Sequence, residues 1–140
     1  IILQGHSLGT VKVIHYLFQG EYKEKINKLI LLAPFESGLP DNLSKSTQES
    51  WKKYTKMFEF SNSNCDLSIL KQIKIPTKII VGDKDECFYP TNPKDFQKIM
   101  DLLLSHIPNS QGVFIPDALH SYHPNEDLMS QEVVKFINNR

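Results

Sequence analysis

The chain has 140 residues, 40% apolar and 23% charged, enough for one globular domain with its own core. Sixteen basic and sixteen acidic residues cancel and are interspersed, as in Glu21-Tyr22-Lys23-Glu24-Lys25, which argues against the basic footprint of a nucleic-acid binder. No apolar run reaches the roughly 18 residues of a membrane span, and Cys65 and Cys87 lack the paired spacing of a zinc site or a disulfide framework. Free thiols fit a reducing compartment, so a cytoplasmic location is expected.

In chain order, Ile1-Ile2-Leu3-Gln4 is a β-rich run that stops at Gly5-His6-Ser7-Leu8-Gly9 and turns helical. Leu8, Val11, Ile14, His15 and Phe18 then share one face at helical spacing, with Gly20 as the stop. Lys28-Leu29-Ile30-Leu31-Leu32-Ala33-Pro34 reads as a strand buried on both faces of a parallel sheet. Glu36 to Asn42 is linker-like, and residues 37–64 are expected to form a small helical cap insertion. Within it, Ser46-Thr47-Gln48-Glu49 offers a capping box before Trp51, Tyr54, Met57 and Phe58. That helix either packs on the sheet or presents an aromatic face to an active site.

Asp66 to Gln72 is a short helix, and Ile75-Pro76-Thr77-Lys78-Ile79-Ile80-Val81-Gly82 is a second buried strand. Asn92-Pro93 opens a helix with Phe96, Ile99, Met100 and Leu103 on one face. A last strand, Gly112-Val113-Phe114-Ile115, leads to Ala118-Leu119-His120, and a closing helix from about Asn125 buries Met129, Val133, Phe136 and Ile137. Strand and helix alternate throughout, the pattern of an open, mostly parallel α/β sheet flanked by helices.

Parallel strands deliver their carboxyl-end loops to one edge, where reactive groups gather. Ser7 follows the first strand, Asp83 and Asp85 follow the third, and His120 follows the fourth. Acyl transfer needs these types: a histidine to remove the serine proton, and a carboxylate to orient and stabilise that histidine. In G-x-S-x-G the serine sits on a turn so crowded that only small residues fit two positions either side, here Gly5 and Gly9. The same turn aims the Leu8 backbone N–H at the reacting oxygen. The plainer reading of Ser7 is a helix N-cap. Asp83 or Asp85 can be a turn former, and His123 competes with His120 in the same loop. A metal site from His120, His123 and Glu126 or Asp127 fits no helical ligand spacing, and none is expected. His15 and His106 read as helix-surface residues.

Gly5-His6-Ser7-Leu8-Gly9, the strand from Ile75 to Gly82 with Asp83-Lys84-Asp85, and Ala118-Leu119-His120 resemble the elbow, acid strand and histidine loop of α/β-hydrolase-fold serine hydrolases. The resemblance covers essentially the whole chain and is to the C-terminal half of that fold. It implies Ser7 as nucleophile, His120 as base, and Asp85 as the acid with Asp83 as the fallback. The Leu8 N–H is then one oxyanion donor, and His6 belongs to the elbow without a catalytic duty. It implies hydrolysis of an ester, thioester or amide without a cofactor, carboxylesterase activity first, while a non-catalytic receptor or interaction module of the same fold is the alternative. The family's first strands and its second oxyanion donor are expected before Ile1, so these 140 residues alone should catalyse poorly and expose an associating sheet edge. Substrate identity and oligomeric state are not encoded in these motifs.

Overall fold

The computed structural model describes residues 1–34, 67–85 and 93–139. The expected cap helix with Trp51, Tyr54, Met57 and Phe58, and both cysteines, lie outside the described residues. The elements are β1 (Ile2–His6), α1 (Leu8–Gln19), a 3₁₀ turn (Lys23–Lys25), β2 (Lys28–Leu32), a 3₁₀ helix (Leu67–Gln72), β3 (Thr77–Gly82), α2 (Pro93–His106), β4 (Ser110–Ile115) and α3 (Glu126–Asn138).

All four strands are parallel and pair in the order β1-β2-β3-β4, with Gly5, Leu31, Ile79 and Gly112 in one row across the sheet. Successive side chains in a strand point to opposite faces, so the apolar runs of β2 and β3 feed two cores. Leu29, Leu31, Ile79 and Val81 pack on one face with Leu70, Ile73, Met100, Leu103 and Ile107. Ile30, Leu32 and Ile80 pack on the other with Ile115, Ala118, Tyr122 and Phe136. Each fully buried Leu or Ile contributes about 1.5–3 kcal/mol. β1 lies at the edge of this sheet, and Ile1 and Ile2 at its start are exposed.

The helix faces follow the expected rows, with an addition in α1 and one exception in α3. α1 meets the sheet with Val13, Ile14, Leu17 and Phe18. Ile14 and Phe18 are on the row that the sequence expects, and Val13 and Leu17 widen it into two adjacent i,i+4 rows. In α3, Met129, Val133 and Phe136 pack inward as expected, but Ile137 is 39% exposed. Two lysines from the sheet fasten that helix. Lys28 Nζ donates to the carbonyls of Phe136, Ile137 and Asn139, where a helix end accumulates negative partial charge. Lys78, only 6% exposed, pairs with Glu132 Oε2 at 2.9 Å. Hydrogen bonds from Lys135 and then Lys78 hold the Glu132 carboxyl below its ordinary pKa. No helix among the described residues is long and apolar enough to cross a membrane.

Candidate active site

Because the strands are parallel, β1, β3 and β4 end on the same edge of the sheet, and backbone strain gathers there. Ser7, Ala33 and Asp117, which follow β1, β2 and β4, have φ of 56°, 44° and 52°, and Tyr122 in the last loop has φ 67°. Non-glycine residues adopt such values at a cost of about 1–3 kcal/mol, and only where their surroundings impose them.

The Ser7 backbone, φ 56° and ψ −129°, makes a sharp break between β1 and α1. Its N–H donates to the Leu32 carbonyl at 2.9 Å, and its carbonyl accepts from the Thr10 N–H and hydroxyl at 2.9 and 2.7 Å. The hydroxyl makes no capping bond to α1, so Ser7 is not a conventional N-cap. A Cβ at Gly5 would stand 2.5 Å from the Gly9 carbonyl oxygen, so the turn closes only over glycine there. At Gly9 an added Cβ meets nothing within 4 Å among the described residues. Among the described residues the crowding is one-sided, because the helix backbone at Gly9 presses on the strand at Gly5 while no described atom stands in its own Cβ direction. Leu8 is the first residue of α1, and N–H groups of a first turn have no carbonyl within the helix to bind.

The turn after β3 and the loop after β4 are stitched through their backbones. Asp83 N–H donates to the Ile115 carbonyl at 3.1 Å and Lys84 N–H to the Ala118 carbonyl at 3.0 Å. Gly82 permits this approach, since a Cβ there would collide with the Ala118 carbonyl oxygen. The side chains then meet. His120 Nδ1–H donates to Asp85 Oδ2 at 2.8 Å, with Asp85 1% and His120 15% exposed at the side chain. That pairing fixes the ring tautomer and leaves Nε2 as the proton acceptor. Asp83 is not placed on His120, and its buried Oδ1 has no hydrogen-bond partner among the described residues.

His123 points elsewhere. It is 68% exposed at the side chain and pairs with Glu126 Oε1 at 3.1 Å. The Glu126 backbone N–H, with His123, lowers the Glu126 pKa. Among the described residues no group of three ligating side chains could hold a metal ion. His15 and His106 are half-buried rather than on the surface, and His106 Nδ1–H donates to the Leu102 carbonyl at 2.8 Å.

Tyr122 and the contact made by His6 have no signal in the sequence pattern. Tyr122, 2% exposed, donates its hydroxyl to the Ile80 carbonyl at 2.7 Å and pins the histidine loop to β3. Burial, opposed by the Ala33 backbone and reinforced by the Asp85 charge, raises its pKa well above the ordinary 10.0. His6 Nε2 lies 2.9 Å from the His120 carbonyl oxygen. A loop tyrosine and a contact across 114 residues follow no periodicity. The close approach at Gly82 could have been suspected from a glycine ending an apolar strand.

No protein-family model and no curated protein matches the sequence. Solved structures do. An alpha/beta superfamily hydrolase from Oenococcus oeni PSU-1 superposes over 99% of this chain and 67% of its own, with TM-score 0.56 at 15% identity. The chain has the α/β-hydrolase fold. Other α/β-hydrolase likenesses are Est1E from Butyrivibrio proteoclasticus, solved with ferulic acid bound (TM-score 0.66, 22% identity, 98% of this chain and 58% of that one), and the esterase EaEST from Exiguobacterium antarcticum (0.63, 18%, 99% and 66%). The chain thus spans 58% to 67% of the length of these α/β-hydrolase structures. At such identities the likeness establishes the fold alone.

Proposed function

We propose that the chain carries the reacting residues of a serine hydrolase that cleaves an ester, thioester or amide through an acyl-enzyme, with a carboxylic ester as the first substrate class. The observation that carries this reading is the 2.8 Å bond between His120 Nδ1 and the buried Asp85, on the sheet edge where Ser7 sits at positive φ. In the reaction, His120 Nε2 takes the proton of the Ser7 hydroxyl as Ser7 Oγ bonds to the carbonyl carbon. The Asp85 carboxylate stabilises the imidazolium, and the Leu8 N–H receives the developing oxyanion. Collapse expels the alcohol, thiol or amine, which takes the proton from His120. Water, deprotonated by His120, then releases the acid and restores Ser7. No step needs a metal or an organic cofactor.

Fluorophosphonate labelling of the full chain with peptide mapping tests the reading. Modification confined to Ser7, lost in Ser7→Ala and greatly slowed in His120→Ala, is the expected result. A folded protein that takes no label, or takes it elsewhere, would overturn it and favour a ligand receptor on the same fold.

A further inference from the structure

β1 and β4 are separated by two strands. At about 4.8 Å per strand, Ser7 and His120 leave the sheet from rows roughly 14 Å apart. Their loops must lean together before a proton can pass, and that lean needs its own restraint. Ser7 itself supplies none through its described backbone bonds, which go to Leu32 and Thr10.

We propose that His6 is the positioning residue that ties the nucleophile elbow to the histidine loop, an inference that rests on the serine-hydrolase reading above. His6 directly precedes Ser7, so the strained turn that orients the serine also orients this ring. Its Nε2 lies 2.9 Å from the carbonyl oxygen of His120. A carbonyl only accepts, so Nε2 carries the proton and donates. The bond falls on the main chain of the base itself. The ring also packs on the side chain that the bond positions: His6 and His120 centroids are 4.8 Å apart with planes tilted 37°, and the Tyr122 ring lies 6.0 Å from His6 on a neighbouring side.

The rest of the loop is held from other directions. Lys84 N–H grips the Ala118 carbonyl, Leu119 N–H donates to the His123 carbonyl, and Tyr122 is anchored on Ile80. These bonds place His120 against Asp85. The His6 bond alone in this set joins the loop to the segment that carries Ser7, so its loss should loosen the Ser7–His120 distance and leave the Asp85 pairing made.

The substitutions separate the donor from the ring. His6→Phe keeps an aromatic ring without a donor, and His6→Gln keeps an N–H at similar reach without the ring. With p-nitrophenyl acetate as the probe ester, His6→Phe should lower kcat about 10- to 100-fold, the scale of a 1 Å misplacement, with little change in KM. His6→Gln should recover most of that loss. The imidazole resonances of His120, followed in the full chain in a Ser7→Ala background, should shift in His6→Phe and return toward the parent position in His6→Gln. Wild-type kcat in His6→Phe, or His120 resonances unmoved by it, would overturn the proposal. The resonances need no turnover, so they decide the matter even if Ser7 takes no fluorophosphonate and the hydrolase reading itself fails. Should His6→Phe not fold, as judged by its thermal transition, the same comparison is made between His6→Ala and His6→Gln.

Discussion

Asp85 and His120 reach each other through their side chains, across a 2.8 Å bond in which the carboxylate is almost wholly buried. Ser7 is placed by its backbone, at φ 56°, with a side chain that makes no capping bond. The first half of the site is a satisfied polar pair, stable in itself. The second half is strained, and the strain keeps a hydroxyl clear of the helix that would otherwise use it. On the proposed reading, the difference teaches that the acid and base are fixed by what they bond, whereas the nucleophile is fixed by what its turn forbids. Chemistry and stability should therefore respond differently in the two halves.

The largest effect is expected at Ser7. Ser7→Ala should lower kcat by roughly 10⁶-fold while the thermal transition stays in place. Ser7→Gly should be equally inactive yet more stable by about 1 kcal/mol, because glycine relieves the positive φ. A Ser7→Gly protein less stable than the parent would break the contrast between the halves. Next comes the acid: Asp85→Asn keeps the shape and should cost about 10⁴-fold in kcat through the wrong histidine tautomer. Asp83→Asn, two residues away in the same turn, should leave kcat close to wild type. Equal losses in the two variants would remove the reason for assigning the role to Asp85.

Smaller effects sharpen the description of the elbow. Gly5→Ala forces a Cβ against the Gly9 carbonyl and should destabilise by about 1–3 kcal/mol in urea melts. Gly9→Ala, within a helix, meets no atom of the described residues and should stabilise by up to about 1 kcal/mol. The smallest effect is a pH dependence in the histidine loop. Tyr122 has a raised pKa when folded, so the unfolded chain loses its phenolic proton first as pH rises. Its contribution to stability is complete below the ordinary value of 10.0 and is lost as pH climbs above it. Denaturation midpoints measured on both sides of that value should fall in the wild type and fall less in Tyr122→Phe.

Much of this was legible in the sequence because the signals are local. The apolar runs of β2 and β3 bury both faces, so their composition alone marks central strands of a parallel sheet. Gly5-His6-Ser7-Leu8-Gly9 marks the break between strand and helix, and chain order delivers Ser7, Asp85 and His120 to one edge. The contact face of α1 was legible only in part. Helical spacing puts Ile14 and Phe18 on it, whereas the burial of Val13 and Leu17 beside them is decided by the sheet. Gly9 was read by its pattern, yet the steric demand falls on Gly5. The choice of Asp85 over Asp83 depends on which carboxylate the crossing histidine loop meets, and the His6 bond depends on a juxtaposition across 114 residues. Neither is encoded in spacing.

The central claim is that the strained serine and the satisfied acid–base pair act as one unit. Its most direct test is the rate at which a fluorophosphonate labels Ser7 in His120→Ala, in Asp85→Asn and in the double variant. If Asp85 acts only through His120, the double variant should label no more slowly than His120→Ala alone. Losses that multiply in the double variant would show the two residues acting independently and would contradict the account.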